Sequence, residues 1–269
     1  MSIYNKTTEK ELSQSIDSML NQTLKASQFI IVCDGSISEE IEGILLEFVE
    51  RFPELFWIIK LEQNVGLAAA LNEGIKVAKY ELIARMDSDD ISLPDRCRQQ
   101  VQLFWENPEL ALVGTAARDF NGDVNQVSGK IRLKPESHEE IIKEMRRNNP
   151  FIHSTVMFKK SVVLECGGYD NSLRRRQDYD LFSKIVSRGY RAANIREPLL
   201  LFRVDDNFID RNRNRETCDA RLTVQKRIWR RGECSIGDYL YVFLAMKISP
   251  MVSSGLYKRI YSLIKNSKG

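Results

Sequence analysis

Helical and strand patterns alternate through the first 115 residues, and this alternation limits the possible folds more than any other feature of the chain. The segment TTEKELSQSIDSML opens with a capping box and continues with apolar residues at helical spacing. The next segment, QFIIVCDG, is an apolar run that ends in a turn, as expected of a buried parallel strand. The strand-like runs LFWIIKL, ELIARM and ELALVGT follow, separated by amphipathic segments. The alternation predicts a parallel sheet covered by helices on both faces.

The pattern changes after residue 115. An Asn-Gly pair indicates a hairpin turn, SHEEIIKEMRR contains a second capping box, and QDYDLFSKIVSRG is a helix closed by glycine. We therefore predict one α/β domain with a mixed second half over residues 1–205, divided at about 1–115 and 116–205. A basic helical extension is predicted over residues 206–269.

The segment before the first helix is too short for an ordinary strand. Only MSIY precedes Asn5, whereas a strand usually has about 5–6 residues. The sequence therefore predicts either an unusually short first strand or a start that lies upstream.

Composition excludes several classes of protein. The net charge of +3 gives no reason to expect a nucleic-acid partner. The five cysteines are scattered without CxxC spacing, which indicates neither a disulfide framework nor a zinc knuckle and favours a reducing cytosolic setting. We expect no signal peptide and no membrane span, because the most apolar segment, YLYVFLAMKI, is too short to cross a bilayer.

The stretch RMDSDD places Asp87, Asp89 and Asp90 directly after a strand-like run. Like charges this close raise one another's pKa values unless a positive charge lies between them. If the strand continues past Met86, Asp87 and Asp89 lie on one face and suit Mg²⁺ or Mn²⁺ shared with a diphosphate. The competing interpretation is that these acids cap the loop and the helix that begins near Pro94.

Several quoted blocks, in their order and spacing, resemble family 2 glycosyltransferases, which are inverting, nucleotide-sugar-dependent enzymes with the GT-A fold. The blocks are IVCDGS, NVGLAAALNEGI, RMDSDDISLPDR, GGYD and RRRQDYDLFSKIVSRGY. The similarity is greatest to bacterial enzymes of O-antigen and amylovoran-type exopolysaccharide synthesis. The resemblance implies a Rossmann-like, mixed and mainly parallel sheet flanked by helices, with the C-terminal helical extension added.

The resemblance also implies site residues. The nucleotide-sugar positions that match the family pattern are Asn5, Asp34, Asn64, Gly66 and Asp87. Asp89 matches the metal ligand, together with Asp87, and the implied cofactor is Mn²⁺ or Mg²⁺. The pair of acids usual at Asp34 reads Cys33-Asp34 here, which removes one expected nucleotide contact.

Asp178 matches the catalytic base of the family. An inverting transfer needs one carboxylate, apart from the metal cluster, to take the proton of the attacking hydroxyl. From the residues alone an N-cap role for Asp178 is an equal alternative, and Asp180 is a rival base. His153 and Arg176 are weaker candidates for contact with the acceptor or a diphosphate, since a structural histidine and a solvated arginine loop explain them equally.

The implied reaction moves a hexose from UDP-glucose or UDP-galactose to a lipid-pyrophosphate-linked saccharide and forms a β-glycosidic bond. The basic, aromatic tail from Tyr239 to Lys268 suits a peripheral position on the cytoplasmic face of the cell membrane. Two rival functions are a sugar-nucleotide nucleotidyltransferase and a non-catalytic nucleotide-sugar-binding or assembly subunit. A nucleotidyltransferase would show a glycine-rich basic loop where this chain has YNKTTEK. A binding subunit would not need a catalytic base, so the presence of Asp89 and Asp178 argues against it.

Overall fold

The computed structural model describes residues 1–123, 127, 129–205 and 208–252, apart from the side chains of residues 209, 211 and 212. The chain divides into two compact units. The first comprises Met1–Met145 with Asn149–Val204, and the second comprises Arg146–Asn148 with the residues from Asp205 onward. The part of the predicted tail beyond residue 252 lies outside the described residues.

The first unit contains nine described strands and seven described α-helices. The strands are β1 (Ser2–Ile3), β2 (Phe29–Cys33), β3 (Phe56–Lys60), β4 (Leu82–Ala84), β5 (Ile91–Ser92), β6 (Leu110–Phe120), β7 (Ile131–Arg132), β8 (Met157–Lys159) and β9 (Arg191–Arg203). The helices are α1 (Glu9–Leu20), α2 (Glu39–Arg51), α3 (Leu67–Val77), α4 (Arg96–Glu106), α5 (His138–Met145), α6 (Lys160–Glu165) and α7 (Gln177–Ser187), with a 3₁₀ turn at His153–Thr155.

Two sheets form the framework of this unit. The first is parallel, in the order β1-β2-β3, and the second runs β4-β8-β6-β9-β5, with β7 beside β6. In the second sheet only β6 and β9 pair in parallel, while the other described pairs are antiparallel. The predicted α/β class with a mixed sheet flanked by helices is therefore confirmed. The first half supplies the parallel β1-β2-β3 sheet, as predicted. It does not form a wholly parallel sheet, because β4 and β5 pair antiparallel with β8 and β9, and the parallel partner of β6 comes from the second half.

Three local predictions have clear outcomes. The short first strand is confirmed, because β1 has two residues. The fourth strand is shorter than the predicted ELIARM segment and does not continue past Met86, since β4 ends at Ala84 and the chain bends at residues 88–89. The predicted hairpin is observed, because β6 and β7 pair antiparallel and Asn121-Gly122 directly follows β6, although the connection is longer than a two-residue turn.

The helix ends follow the sequence signals. The Thr8 side chain accepts from the Glu11 amide at the start of α1, and the Ser137 hydroxyl accepts from the Glu140 amide before α5. The predicted helix near Pro94 begins at Arg96. Apolar faces of α1, α2 and α4 pack on the sheets and enclose a core that includes Ile16, Phe48 and Phe104.

The second unit is helical, with α8 (Phe208–Arg213), α9 (Arg215–Arg230) and α10 (Ile236–Ile248) followed by a 3₁₀ turn at Ser249–Met251. A capping box between Ser235 and Asp238 starts α10, and Trp229 stacks on Tyr239 with their ring centroids 5.3 Å apart. Among the described helices, none has the length and apolar character needed to cross a membrane.

A buried amide connects α4 to the second sheet. Gln100 is completely buried, and its Nε2 donates to the carbonyl oxygens of Val113 (2.8 Å) and Thr155 (2.9 Å). Its Oε1 accepts from Nε of Arg96 at 3.1 Å. Both polar atoms of the amide are therefore satisfied inside the core, as buried polar groups require.

We predict that Gln100→Leu lowers the free energy of unfolding by about 2–4 kcal/mol, because it leaves two carbonyls and a guanidinium N–H buried without partners. Urea denaturation measures the change. The matched control is Gln102→Leu, on the exposed side of the same helix, which should stay within about 0.5 kcal/mol of the wild type. Equal effects of the two substitutions would contradict the structural role of Gln100.

Candidate active site

Three carboxylates cluster in the segment Asp87–Asp90, which begins two residues after Arg85 and is called the acidic bend below. One oxygen from each of Asp87, Asp89 and Asp90 lies within 4.8 Å of the others. The predicted clustering of Asp87 with Asp89 is therefore observed, although a bend produces it rather than strand alternation. Of the three side chains, Asp89 is exposed, Asp87 is half-buried and Asp90 is buried.

The backbone of the bend is held by groups from distant elements. The Ser15 hydroxyl in α1 donates to the Asp87 carbonyl oxygen at 2.7 Å. At the end of β9, the Arg203 amide donates to Oδ1 of Asp90 at 2.8 Å, and its Nε donates to the Asp89 carbonyl oxygen at 2.6 Å. Asp90 therefore does not cap the helix near Pro94, the alternative that the sequence allowed, because the Asp90 carboxylate accepts from the backbone of β9. The N-cap of that helix is Asp95.

Two buried arginines support the base of the bend. Arg85 is 4% exposed, and both of its terminal nitrogens pair with the two carboxylate oxygens of Asp87. Arg96 is completely buried and donates to the carbonyl oxygens of Arg85 at 2.6 Å and Val156 at 3.3 Å. Burial lowers the pKa of Arg96 to about 10, so this guanidinium remains charged at neutral pH.

The acidic cluster is electrostatically unfavourable in the absence of a cation. Desolvation, and then the charge of Asp87, raise the pKa of Asp89 to about 6, although Asp89 is an exposed residue. Burial, followed by the charges of Asp87 and Asp89, raises the pKa of Asp90 well above its usual value. Arg85 offsets the charge of Asp87 but leaves two further carboxylates close together.

The donor set fits a hard divalent cation. Oδ2 of Asp90 is buried without a hydrogen bond among the described residues, so one oxygen is available in the cluster. Each carboxylate offers about four lone-pair sites, and the ion pair with Arg85 uses two of those on Asp87. Clustered carboxylate oxygens are the ligands that Mg²⁺ and Mn²⁺ prefer.

A second group of predicted residues meets at the end of β2. Asp34 is 4% exposed, and its two carboxylate oxygens accept from the amides of Val65 (2.7 Å) and Gly66 (3.0 Å) at the start of α3. The Asn64 side chain donates to the Asp34 carbonyl oxygen at 3.1 Å. Asp34 therefore holds the 63–66 loop against the strand end, a structural function that the sequence pattern did not predict.

Two glycines allow this close approach. Gly35 and Gly66 have φ values of +83° and +91°, where residues with a Cβ are strained. A Cβ on Gly35 would come within 2.7 Å of the Asn64 backbone nitrogen. Asn5 is exposed in the turn after β1. Because β1 and β2 are parallel neighbours, Asn5 and Asp34 follow the same edge of the sheet.

The third group surrounds Asp178 at the start of α7. The N-cap position is Arg176, at φ +63°, so Asp178 is not the N-cap that the residues alone allowed. The Asn149 side chain donates to Oδ2 of Asp178 at 2.7 Å. The rival acid Asp180 is completely buried and forms an ion pair with Lys184 at 2.7 Å, which leaves Asp178 as the more accessible carboxylate.

His153 contacts a buried tyrosine. Its Nε2 and the hydroxyl of buried Tyr169 are 2.8 Å apart. Burial, and then the charge of Arg85, hold the pKa of His153 well below its usual value, so the ring is neutral at physiological pH. Burial raises the pKa of Tyr169, on which the charges of Arg85, Asp178 and Asp87 also act. The Tyr169 phenol is therefore within electrostatic reach of both acidic groups.

Lys134 is a candidate functional residue that sequence reasoning missed. Its ammonium donates to the Asn149 carbonyl oxygen at 2.8 Å. Desolvation lowers the pKa of Lys134 to about 8, and charges that act on it include those of Asp178 and Arg176. The local sequence RLKPES gives no signal of this role, because the contact with Asn149 depends on the folded chain.

Comparisons with known proteins identify the family. The sequence model of glycosyl transferase family 2 matches residues 1–180. Two relatives cover most of this chain. AmsE, the amylovoran biosynthesis glycosyltransferase of Erwinia amylovora, is 35% identical over 79% of this chain and 78% of its own length. The UDP-Gal:alpha-D-GlcNAc-diphosphoundecaprenol beta-1,3-galactosyltransferase of Escherichia coli is 26% identical over 97% of this chain and 94% of its own length.

The fold is shared with solved glycosyltransferases. The mannosyltransferase PcManGT of Pyrobaculum calidifontis, solved with GDP-Man and Mn²⁺, superposes with a TM-score of 0.70 at 16% identity. The match covers 93% of this chain and 70% of that one. The protein therefore belongs to glycosyl transferase family 2 and has the predicted GT-A fold.

We predict that Mn²⁺ binds to the wild type and that Asp89→Asn weakens this binding at least about tenfold, because a ligand charge is lost from the cluster. Below about pH 6 the affinity of the wild type should also fall, by about tenfold per pH unit. The reason is that the pKa of Asp89, raised to about 6, leaves the carboxylate protonated in acid, and a ligand must lose its proton to bind.

Isothermal titration calorimetry with Mn²⁺ alone measures both effects. The matched control is Asp17→Asn, which removes the same charge from an exposed position in α1 and should leave the affinity unchanged. If Asp17→Asn and Asp89→Asn weakened Mn²⁺ binding equally, the acidic bend would not be the cation site.

Proposed function

We propose that the protein is an inverting hexosyltransferase that takes UDP-glucose or UDP-galactose as donor. The acceptor is a lipid-pyrophosphate-linked saccharide, and the product is a β-glycosidic bond in an O-antigen or exopolysaccharide repeat unit. The observation that carries this proposal is the separation of the acids into two groups. Three carboxylates cluster after β4, while Asp178 lies at the start of a helix with a different set of neighbours.

The donor nucleotide is assigned to the edge formed by the ends of β1, β2 and β4. In open α/β sheets, ligands bind outside the carboxyl ends of the strands. Asn5, Asp34 and the Asn64–Gly66 loop would contact the base and ribose. The Asp34 carboxylate already accepts two amide hydrogen bonds. It would therefore contact the nucleotide either through its remaining lone pairs or indirectly, by positioning the Asn64–Gly66 loop.

The diphosphate is assigned to the acidic bend. Asp89, with Asp87, would hold Mn²⁺ or Mg²⁺ there, and Asp90 contributes a third negative charge to the cluster. Such an ion, when bound, stabilises the charge that grows on the departing UDP. Arg203 and Ser15 keep the backbone of the bend in place through their hydrogen bonds, so the carboxylates need little rearrangement on binding.

Asp178 is assigned as the general base. Its Oδ2 is fixed by Asn149 at 2.7 Å, and we assign its other oxygen to the acceptor hydroxyl. That oxygen takes the proton as the hydroxyl attacks the anomeric carbon opposite the leaving UDP, which inverts an α-linked donor to a β product. Lys134 and Arg176 place positive charge near this acid, where the acceptor pyrophosphate would approach. His153, which lies beside Tyr169, is a weaker candidate for contact with the acceptor or the diphosphate.

The names of the two relatives support the acceptor class. One acts in amylovoran biosynthesis, and the other transfers galactose to a sugar linked to diphosphoundecaprenol. The second relative spans nearly the whole of this chain. We therefore favour a lipid-linked acceptor over a free sugar or a protein.

We also propose that the C-terminal extension, residues 206–269, rests on the inner face of the cell membrane. On α10, an exposed apolar face combines Leu240, Tyr241, Leu244 and Ile248. Residues 206–269 contain 13 Lys and Arg against 6 Asp and Glu. An apolar helix face within a basic segment suits anionic lipid.

For the base, we predict that Asp178→Asn keeps metal-dependent UDP binding but slows transfer by about 10²–10⁴-fold, because the proton acceptor is lost. Asp89→Ala should instead lose the UDP binding itself. Calorimetry with UDP and Mn²⁺ measures binding, and transfer from UDP-glucose or UDP-galactose to lipid-linked acceptors measures the rate. If Asp178→Asn transferred sugar at the wild-type rate, Asp178 would not be the base.

For the membrane, we predict that the double substitution Leu240→Glu and Leu244→Glu lowers binding to anionic phospholipid vesicles at least about tenfold, because charge replaces buried apolar contact. Co-sedimentation measures the bound fraction. The control is Leu46→Glu, an exposed leucine of the first unit, which should bind like the wild type. Retained binding of the double variant would exclude α10 as the docking face.

A further inference from the structure

A buried asparagine of β9 joins two loops of the first unit, residues 134–136 and 149–151. Nδ2 of Asn194 donates to the carbonyl oxygens of Pro135 at 2.7 Å and Pro150 at 3.1 Å. The backbone amide of Asn194 donates to the Glu136 carbonyl oxygen at 3.1 Å. Because a side-chain amide nitrogen has two hydrogens, both of them are used to connect the two loops.

Each of the two prolines directly follows a residue near the proposed base. The Lys134 ammonium donates to the Asn149 carbonyl oxygen at 2.8 Å, and the Asn149 side chain donates to Oδ2 of Asp178 at 2.7 Å. Proline has a fixed φ and restricts the residue before it, so the backbone is stiff at both places. A shift of either proline carbonyl would therefore also move Lys134 or Asn149.

A glycine on the neighbouring strand provides the space for this amide. Gly114 of β6 lies opposite Asn194 in the parallel pairing of β6 with β9. A Cβ on Gly114 would collide with Oδ1 of Asn194 and would come within 2.9 Å of the Phe151 ring. Oδ1 is buried without a hydrogen bond among the described residues, which is unfavourable. An apolar side chain would avoid that cost but could not bind the two carbonyls, so the two donors are the physical reason for an amide here.

We propose that Asn194 is a positioning residue for the base Asp178. By holding the two proline carbonyls on one nitrogen, it keeps Lys134 in contact with Asn149 and so keeps the Asp178 carboxylate in one orientation. This inference rests on the proposed function, in which Asp178 takes the proton of the acceptor hydroxyl. The hydrogen bonds of Asn194 end on the two loops and not on the acidic bend. Its loss should therefore slow transfer without weakening donor binding.

Steady-state kinetics of Asn194→Leu, which keeps the size of the side chain but removes both donors, tests the proposal. We expect kcat to fall about 10–100-fold, because a base displaced by about 1 Å loses that much. The KM for the UDP-sugar and the affinity for UDP with Mn²⁺ should stay within about twofold of the wild type. Gly114→Ala, which displaces the amide but keeps its donors, should show the same pattern.

The control for lost stability is Leu45→Ala, which removes a buried side chain of α2 and should lower Tm without lowering kcat. If Leu45→Ala and Asn194→Leu, both folded at the assay temperature, lowered kcat equally, the proposal would be overturned.

The double variant with Asp178→Asn separates positioning from a general structural effect. A residue that acts through the base should have little effect once the base is absent. We therefore expect Asn194→Leu to slow the residual transfer of Asp178→Asn by less than about twofold. An equal factor in both backgrounds would contradict positioning. A wild-type rate for Asp178→Asn alone would instead contradict the proposed base.

A measurement without a sugar donor distinguishes failure of this inference from failure of the proposed function. Burial lowers the pKa of Lys134 to about 8. If Asn194 holds the loops together, Asn194→Leu should release the ammonium toward water and raise this pKa toward its ordinary value, whereas Leu45→Ala should not. NMR titration of ¹³C-labelled lysine side chains measures it. An unchanged pKa in folded Asn194→Leu would overturn the proposal whether or not the protein transfers sugar.

Discussion

The hydrogen bonds of the buried Arg96 guanidinium are the interactions on which the candidate site depends most. The guanidinium donates to the carbonyl oxygens of Arg85, just after β4, and Val156, just before β8. Its Nε donates to Gln100, whose amide reaches Val113 and so joins the same group to β6. A single charged side chain therefore ties the chain between β4 and the acidic bend to the residues next to β8 and, through Gln100, to β6. Its burial is stabilising only because each of these partners is in place.

The bend that follows brings charges together at a cost that a cation would offset. Arg85 neutralises Asp87, but the pKa values of Asp89 and Asp90 are raised because each carboxylate is desolvated beside other negative charges. Hydrogen bonds from Arg203 prevent the bend from opening to relieve this repulsion. Perturbed acids held by rigid neighbours are typical of functional sites. Asp178 lies outside this cluster and is bound by the Asn149 side chain. The protein therefore has a further carboxylate that a cation in the acidic bend would leave uncoordinated.

Periodicity and capping signals were sufficient to predict the helices and the parallel strands of the first half, because those signals are local. They could not predict the order of the second sheet, where β4, β8, β6 and β9 pair across long stretches of chain. The clustering of Asp87 with Asp89 was predicted correctly from a wrong premise, since the strand ends at Ala84 and a bend aligns the two acids. A family motif cannot show whether a neighbouring arginine already binds the carboxylate of Asp87.

The same limit explains what was missed near the other site residues. Asp34 was predicted as a nucleotide contact, and its carboxylate turns out to bind two backbone amides of a loop about 30 residues away. Lys134, Asn149 and Asp178 meet only because the chain folds back on itself. Burial and partner identity depend on that tertiary arrangement, and no spacing in the sequence encodes them.

Anomalous diffraction from a crystal grown with UDP and Mn²⁺ tests the central claim most directly, because it locates the ion and the nucleotide together. We expect one manganese peak within coordination distance of an Asp89 carboxylate oxygen, shared with the UDP diphosphate, and Asp178 outside its coordination shell. A nucleotide bound at the strand ends without manganese at Asp89, or a peak coordinated by Asp178, would contradict the division of the acids into a cation site and a base.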